Sequence, residues 1–165
     1  MSGERRAAVR DSAFDVDPER SVGYLIRSTN RLIVAELQAL LEPHGVTLGQ
    51  YFVLRELWEH EGLTQRELSG RVGIQEPSTV AALDALEKRG LTVRVRSTSD
   101  RRKIHVHLTP HGRSLRREFL GYAERIINDA TTGFTDEELE ALRGYLQRLK
   151  RNLAAVGTRA AETVV

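Results

Sequence analysis

The chain has 165 residues, a formal net charge of +2, no cysteine, and no apolar run of about 18 residues, the length a membrane helix needs. That is enough chain for one domain with a real core, and the lack of cysteine excludes a disulfide framework, a thiol nucleophile and cysteine-based redox sensing. The polar start from Met1 to Arg10 carries no apolar segment, which predicts a cytoplasmic protein.

Residues 1–16 mix charges of both signs with small residues and are expected to form a flexible arm, with Phe14 and Val16 as its candidate anchors on a partner subunit. Asp17 and Pro18 then predict a helix start. The apolar set Val22, Leu25, Ile26, Leu32, Ile33, Leu37, Leu40 and Leu41 continues until Pro43 ends the helix. At roughly 25 residues and about 37 Å, it is more apolar helix than a single domain of this size covers, so residues 17–46 are assigned to dimerisation. His44 and Gly45 make the turn. Thr47 with Gln50 forms a capping box for a helix carrying Phe52, Val53, Leu54, Leu57 and Trp58.

Between Thr64 and Leu108 the pattern is densest. Thr64 and Glu67 form a second capping box, which starts a short helix at Gln65 that buries Leu68 and Val72 and stops at Gly73. Pro77 fits the first position of another helix, with Val80, Leu83 and Leu86 as its core stripe and Gly90 as its stop. The period then falls to two. Leu91, Val93 and Val95 alternate with Thr92, Arg94 and Arg96, and Ile104, Val106 and Leu108 alternate with Lys103, His105 and His107. This predicts a hairpin with one apolar face and a mostly basic outward face. Its turn, from Ser97 to Arg102, is too polar to bury. Two helices across a tight turn followed by a basic hairpin read as a winged helix-turn-helix over residues 47–109, a DNA-binding arrangement.

Thr109 and Pro110 open a helix with the stripe Leu115, Phe119, Leu120, Tyr122, Ala123, Ile126 and Ile127, ending near Gly133. A third capping box, Thr135 with Glu138, starts the last helix, whose Leu139, Leu142, Leu146, Leu149 and Leu153 recur every three or four residues. Residues 110–156 are therefore a second dimerisation segment, and 157–165 are expected to be a flexible tail. The fold class is mainly α with a small β-hairpin wing, the DNA module lying between terminal dimerisation helices.

Charge follows this organisation. Residues 88–117 hold ten Lys or Arg against one Asp, or +9; residues 1–87 hold nine against fourteen, or −5; residues 118–165 hold six against eight, or −2. The basic block coincides with the wing and its flanks, as a phosphate-facing surface requires.

The run Asp100-Arg101-Arg102, then Leu108-Thr109 and Gly112, preceded by Leu83, Leu86-Glu87 and Gly90-Leu91, resembles the MarR family of bacterial transcription regulators. The order of elements matches over roughly residues 18–156, but the distinguishing motifs are confined to Thr64–Gly112. The resemblance implies a homodimer on a pseudo-palindromic operator, and a small-molecule effector that releases it. It assigns Arg102 to the minor groove, where a narrow A·T-rich groove concentrates negative potential. Asp100 is assigned to orient that arginine. It also implies an effector cleft beside the DNA module, lined here by Tyr24, Arg27, Ser28, Arg31, Tyr51, Phe52 and Trp58. Arginine near aromatics suits an aromatic carboxylate or an acyl thioester of coenzyme A.

On the reading helix, Gln75, Pro77, Ser78, Thr79, Ala81 and Ala82 are the expected DNA-facing set. Ala81 and Ala82 favour contacts with thymine methyls over bidentate readout. Arg94, Arg96, Arg101 and Lys103 are expected phosphate contacts. His105, His107 and His111 lack the thiolates and fixed third ligand of a zinc site, so neither metal nor cofactor is expected. No nucleophile elbow, phosphate loop or dinucleotide fingerprint is present, so no catalytic residue is assigned. The other reading, a winged-helix module for protein contacts or for dimerising an enzyme such as a methyltransferase, lacks a nucleotide-binding domain to support the enzyme.

Overall fold

The computed structural model describes residues 18–98, 100 and 103–162, with side chains from 19 to 156 in that range. The expected flexible arm, Asp17, Ser99, Arg101 and Arg102 lie outside the described residues. After a 3-10 turn at Pro18–Arg20, helix α1 spans Val22–Leu41. Its cap is Ser21, whose hydroxyl accepts from the Tyr24 amide at 3.4 Å, so the helix begins four residues later than the Asp17-Pro18 pair suggests. Pro43 sits in a second 3-10 turn, Glu42–His44, and Gly45 at φ 61° reverses the chain.

Helix α2, Leu48–Glu59, and helix α3, Gln65–Val72, both start from the expected capping boxes. Thr64 and Glu67 exchange their bonds at 2.7 and 3.3 Å. The Thr64 amide, and then its hydroxyl, hold the Glu67 carboxyl below the ordinary carboxylate value. A lowered native pKa adds stability above the unfolded value that is lost as pH falls through the lowered one. Thr64→Ala removes the hydroxyl bonds and keeps the amide's, so it is expected to lower stability more at neutral pH than in acid. Urea melts at the two pH values check this, and an equal loss at both contradicts it.

Between α2 and α3 lies a two-residue strand, β1, Leu63–Thr64, too short for any sequence pattern to show. Helix α4, Glu76–Lys88, ends at Arg89 and Gly90, and strands β2, Thr92–Arg96, and β3, Ile104–Leu108, form the hairpin. The sheet is antiparallel in the order β1-β3-β2, so β2 is an edge strand. The expected single helix after Thr109 is broken at Leu115 into α5, Pro110–Ser114, and α6, Arg116–Ala130. Helix α7 runs from Asp136 to Glu162, five residues beyond Gly157. The expected tail is helical there because Ala154, Ala155, Ala160 and Ala161 flank one glycine, and alanine favours helix most.

The described chain divides into two units, one ending at Ile126 and one beginning at Ile127. The first has a continuous core: Leu37 and Leu41 of α1, Val53, Leu54 and Leu57 of α2, Leu68 of α3, Leu83 and Leu86 of α4, Val106 and Leu108 of β3, and Phe119 of α6. Trp58 donates its indole N–H to the Gly112 carbonyl at 2.9 Å, which ties α2 to α5. On α1 the apolar residues Val22, Leu25, Ile26 and Leu32 remain exposed. In the second unit, Leu142, Leu146, Leu149, Leu153 and Val156 form an exposed stripe along α7. No helix among the described residues is long and apolar enough to cross a membrane.

Candidate nucleic-acid interface

The reading surface is built from the α3–α4 turn and the hairpin. Gly73 caps α3 at φ 73° with its amide on the Ser69 carbonyl, and this lets the chain turn directly into α4. Gln75 is the N-cap of α4. Its carbonyl accepts from the Ser78 and Thr79 amides at 3.0 and 3.1 Å. Gln75, Pro77, Ser78 and Ala81 are exposed on the first turns of α4.

Two members of the expected set face inward. Thr79 is fully buried, its hydroxyl bonded to Ser69 Oγ at 2.8 Å, so it joins the two helices of the motif and is out of reach of phosphate. The buried stripe is Thr79, Leu83 and Leu86, while Val80 is only half-buried. A hydroxyl partner on α3 makes Thr79 the better core residue despite its polarity, since a bonded buried hydroxyl carries little penalty. Ala82 packs partly buried against the core as well.

The wing corrects a larger expectation. In the antiparallel register Val93 pairs with His107 and Val95 with His105, while Thr92 and Arg94 pair with Leu108 and Val106. Directly paired residues share a face. Thr92, buried at 3%, and Arg94 therefore point inward with Val106 and Leu108, and Val93 and Val95 are the exposed pair at 41% and 47%. The predicted faces of β2 are exchanged. Arg96, opposite Ile104, and Lys103 remain exposed at the far end of the hairpin.

Arg94, expected to face phosphate, is instead committed to protein. Nη1 donates to Glu87 Oε2 at 2.6 Å, Nη2 to Asp84 Oδ1 at 2.7 Å and Nε to Gln65 Oε1 at 3.0 Å. Its backbone amide donates to the other Glu87 oxygen at 3.1 Å. Burial opposes its charge, but the bonds from Asp84 and then Glu87 outweigh that and raise its pKa above the usual arginine value. Asp84, Glu87 and Gln65 were absent from the expected site. Two carboxylates on a helix that should face phosphate were the available signal, because they require a cation nearby.

Hydrogen bonds join the described residues of the wing turn. The Ser97 amide donates to the Lys103 carbonyl and the Lys103 amide to the Asp100 carbonyl, both at 2.9 Å. The Asp100 amide donates to Ser97 Oγ at 3.2 Å. Arg101 and Arg102, in this same turn by sequence, lie outside the described residues.

Elsewhere, Arg89 at the end of α4 donates through both terminal nitrogens to the His44 and Gly45 carbonyls, holding the reading helix to the α1–α2 turn. His44 Nε2 lies 2.9 Å from the Tyr122 hydroxyl, which donates to Glu118 at 2.7 Å. That bond to Glu118 raises the Tyr122 pKa. His107 Nδ1 lies 3.8 Å from Glu61, a carboxylate that Arg113 also grips at 2.8 Å, and His105 Nδ1 lies 2.6 Å from the Gly62 carbonyl. Among the described residues, no group of three His, Cys, Asp or Glu is placed to hold a metal ion.

Of the expected effector residues, Tyr51 and Trp58 are core: they are 1% and 9% exposed, and their rings meet at 6.4 Å. Aromatics at helical spacing suit a core as well as a cleft, and the Gly112 carbonyl gave the indole its buried partner. Tyr24, Arg27, Arg31 and Phe52 are exposed, and Ser28 is half-buried with its hydroxyl on the Leu25 carbonyl.

A family model described as the MarR family matches residues 46–104. The HTH-type transcriptional repressor MdtR of Bacillus subtilis (strain 168) is 32% identical over 107 residues, covering 65% of this chain and 69% of MdtR. Among solved structures, CouR from Rhodococcus jostii RHA1, bound to p-coumaroyl-CoA, is 27% identical with a TM-score of 0.72, covering 82% of this chain and 95% of CouR. BpsR of Bordetella bronchiseptica, whose DNA binding is regulated by 6-hydroxynicotinic acid, is 26% identical with a TM-score of 0.71, covering 80% of this chain and 94% of BpsR.

Proposed function

The chain belongs to the MarR family of transcriptional regulators, and on that premise we propose that it is a homodimeric repressor that binds a pseudo-palindromic operator and releases it to a small-molecule effector. The observation that carries this reading is the reading surface itself. Gln75, Pro77, Ser78 and Ala81 project from the start of α4 beside a wing whose exposed end bears Arg96 and Lys103. Helix starts of this kind place side chains and free amides against a DNA groove. The exposed apolar faces of α1 and of α7 each have the surface a second copy would cover, so sedimentation should give twice the chain's 18.6 kDa.

Two relatives and the exposed set on α1 and α2 support an aromatic acid or an aromatic acyl thioester of coenzyme A as the effector class. CouR binds an aromatic acyl thioester of coenzyme A, and BpsR responds to an aromatic acid. Arg27 and Arg31, spaced to share a face of α1 with Tyr24, and the exposed Phe52 of α2 offer cations and rings to such a ligand. Coupling of this type is worth about 1 to 3 kcal/mol, or roughly 5- to 150-fold in DNA affinity.

A gel-shift titration with DNA from upstream of the protein's own coding sequence tests the regulator reading. Saturation well below the concentration that shifts a shuffled duplex is expected, and equal binding to both would overturn it. A thermal-shift panel of aromatic acids and their coenzyme A thioesters tests the effector class separately, since a ligand of the folded state alone must raise the midpoint. If no compound raises it or weakens DNA binding, the ligand class is wrong.

A further inference from the structure

Among the described residues of the winged helix, Arg94 is a heavily bonded cation that the proposed function does not use. We infer that Arg94 is a positioning residue of the reading surface: through Asp84 and Glu87 of α4 and Gln65 of α3 it fixes the angle between wing and reading helix, and it does not bind phosphate. The inference rests on the reading of α4 and the wing as a DNA-binding surface.

Three observations support it. First, the three guanidinium nitrogens go to three different side chains, on two helices, from a residue on the strand. The planar fork of arginine holds partners in fixed directions, which a lysine ammonium cannot reproduce. Second, Glu87 spends both oxygens on Arg94, one on its side chain and one on its amide, so α4 grips the strand's backbone as well as its charge. Among the described residues β2 is a sheet edge next to β3, and this grip is a polar tie from the strand to the reading helix. Third, one cation between two carboxylates carries local charge −1, and such a group attracts no phosphate. Arg94 also lies on the inward face opposite the fully buried Val106.

The two roles predict opposite results. A phosphate contact tolerates Arg94→Lys, whereas Arg94→Ala lowers affinity for every duplex and reduces the salt slope by about one unit. For a positioning residue, Arg94→Lys should lose about tenfold on the protein's own site. Its affinity for a shuffled duplex and its salt slope should match the wild type. Glu87→Gln removes a negative charge near DNA, so charge alone predicts tighter binding to both duplexes. Positioning predicts weaker binding to the specific site only, and this variant carries the same test should Arg94→Lys fold poorly. Arg96→Ala, an exposed strand cation, should weaken both duplexes and reduce the slope. The titrations use the full-length protein with the operator and the shuffled duplex at two salt concentrations. Arg94→Lys and Glu87→Gln proteins that keep wild-type preference overturn the inference alone. A wild type that does not distinguish the duplexes overturns the proposed function and the inference with it.

Discussion

Gly112→Ala is expected to cost the first unit about 3 kcal/mol or more, read as a fall in its denaturant midpoint. A Cβ at Gly112 would lie 2.1 Å from the Leu91 carbonyl oxygen and 3.2 Å from Leu108 Cδ2. The nearer atom is backbone, so no rotamer change relieves the clash. Leu91 is further fixed by the Thr109 amide, which donates to that same carbonyl at 3.0 Å. Moving Gly112 would also disturb its own two bonds, the amide on Thr109 Oγ1 at 3.0 Å and the carbonyl under the Trp58 indole at 2.9 Å. One methyl group thus strains the junction of wing, α5 and α2 together. A Gly112→Ala protein with the wild-type midpoint would contradict this account of the junction.

Arg102→Ala is expected to lower affinity for an A·T-flanked operator by about 1 to 3 kcal/mol while changing binding to random DNA little. An arginine carried on a hairpin turn can enter a narrow minor groove, and groove width depends on sequence. Strand cations that face phosphate act on every duplex alike. Asp100→Ala should resemble Arg102→Ala if the carboxylate orients that arginine, although removing a negative charge would by simple attraction tighten binding. Competition titrations of both variants on the two duplexes decide it. An Asp100→Ala protein that grips its operator more tightly than the wild type would remove the orienting role.

Local chemistry was what the sequence made legible. The boxes Thr47 with Gln50, Thr64 with Glu67 and Thr135 with Glu138 all form, because each needs only a side chain and an amide three residues apart. Glycine stops at Gly73 and Gly90 adopt the positive φ that such ends require. Partners distant in sequence decided the rest. Thr92-Val93-Arg94-Val95 alternates equally well with either set inward, and the bonds of Arg94 to Asp84, Glu87 and Gln65 select the polar one. Thr79 and Val80 are neighbours of similar shape, and the Ser69 hydroxyl across the turn decides which is buried. Tyr51 and Trp58 recur at helical spacing that fits core or cleft. For Trp58 the Gly112 carbonyl and the Phe119 ring, both from later in the chain, decide for the core, and Tyr51 packs against Trp58.

We propose that two copies of this winged helix read one two-fold site, and a hydroxyl-radical footprint of the wild-type protein on the DNA upstream of its coding sequence distinguishes this from non-specific binding. Two protected half-sites are expected, related by a dyad and centred about 34 Å apart, one turn of the duplex. Protection spread evenly along the DNA, at protein concentrations that bind it, would contradict the claim.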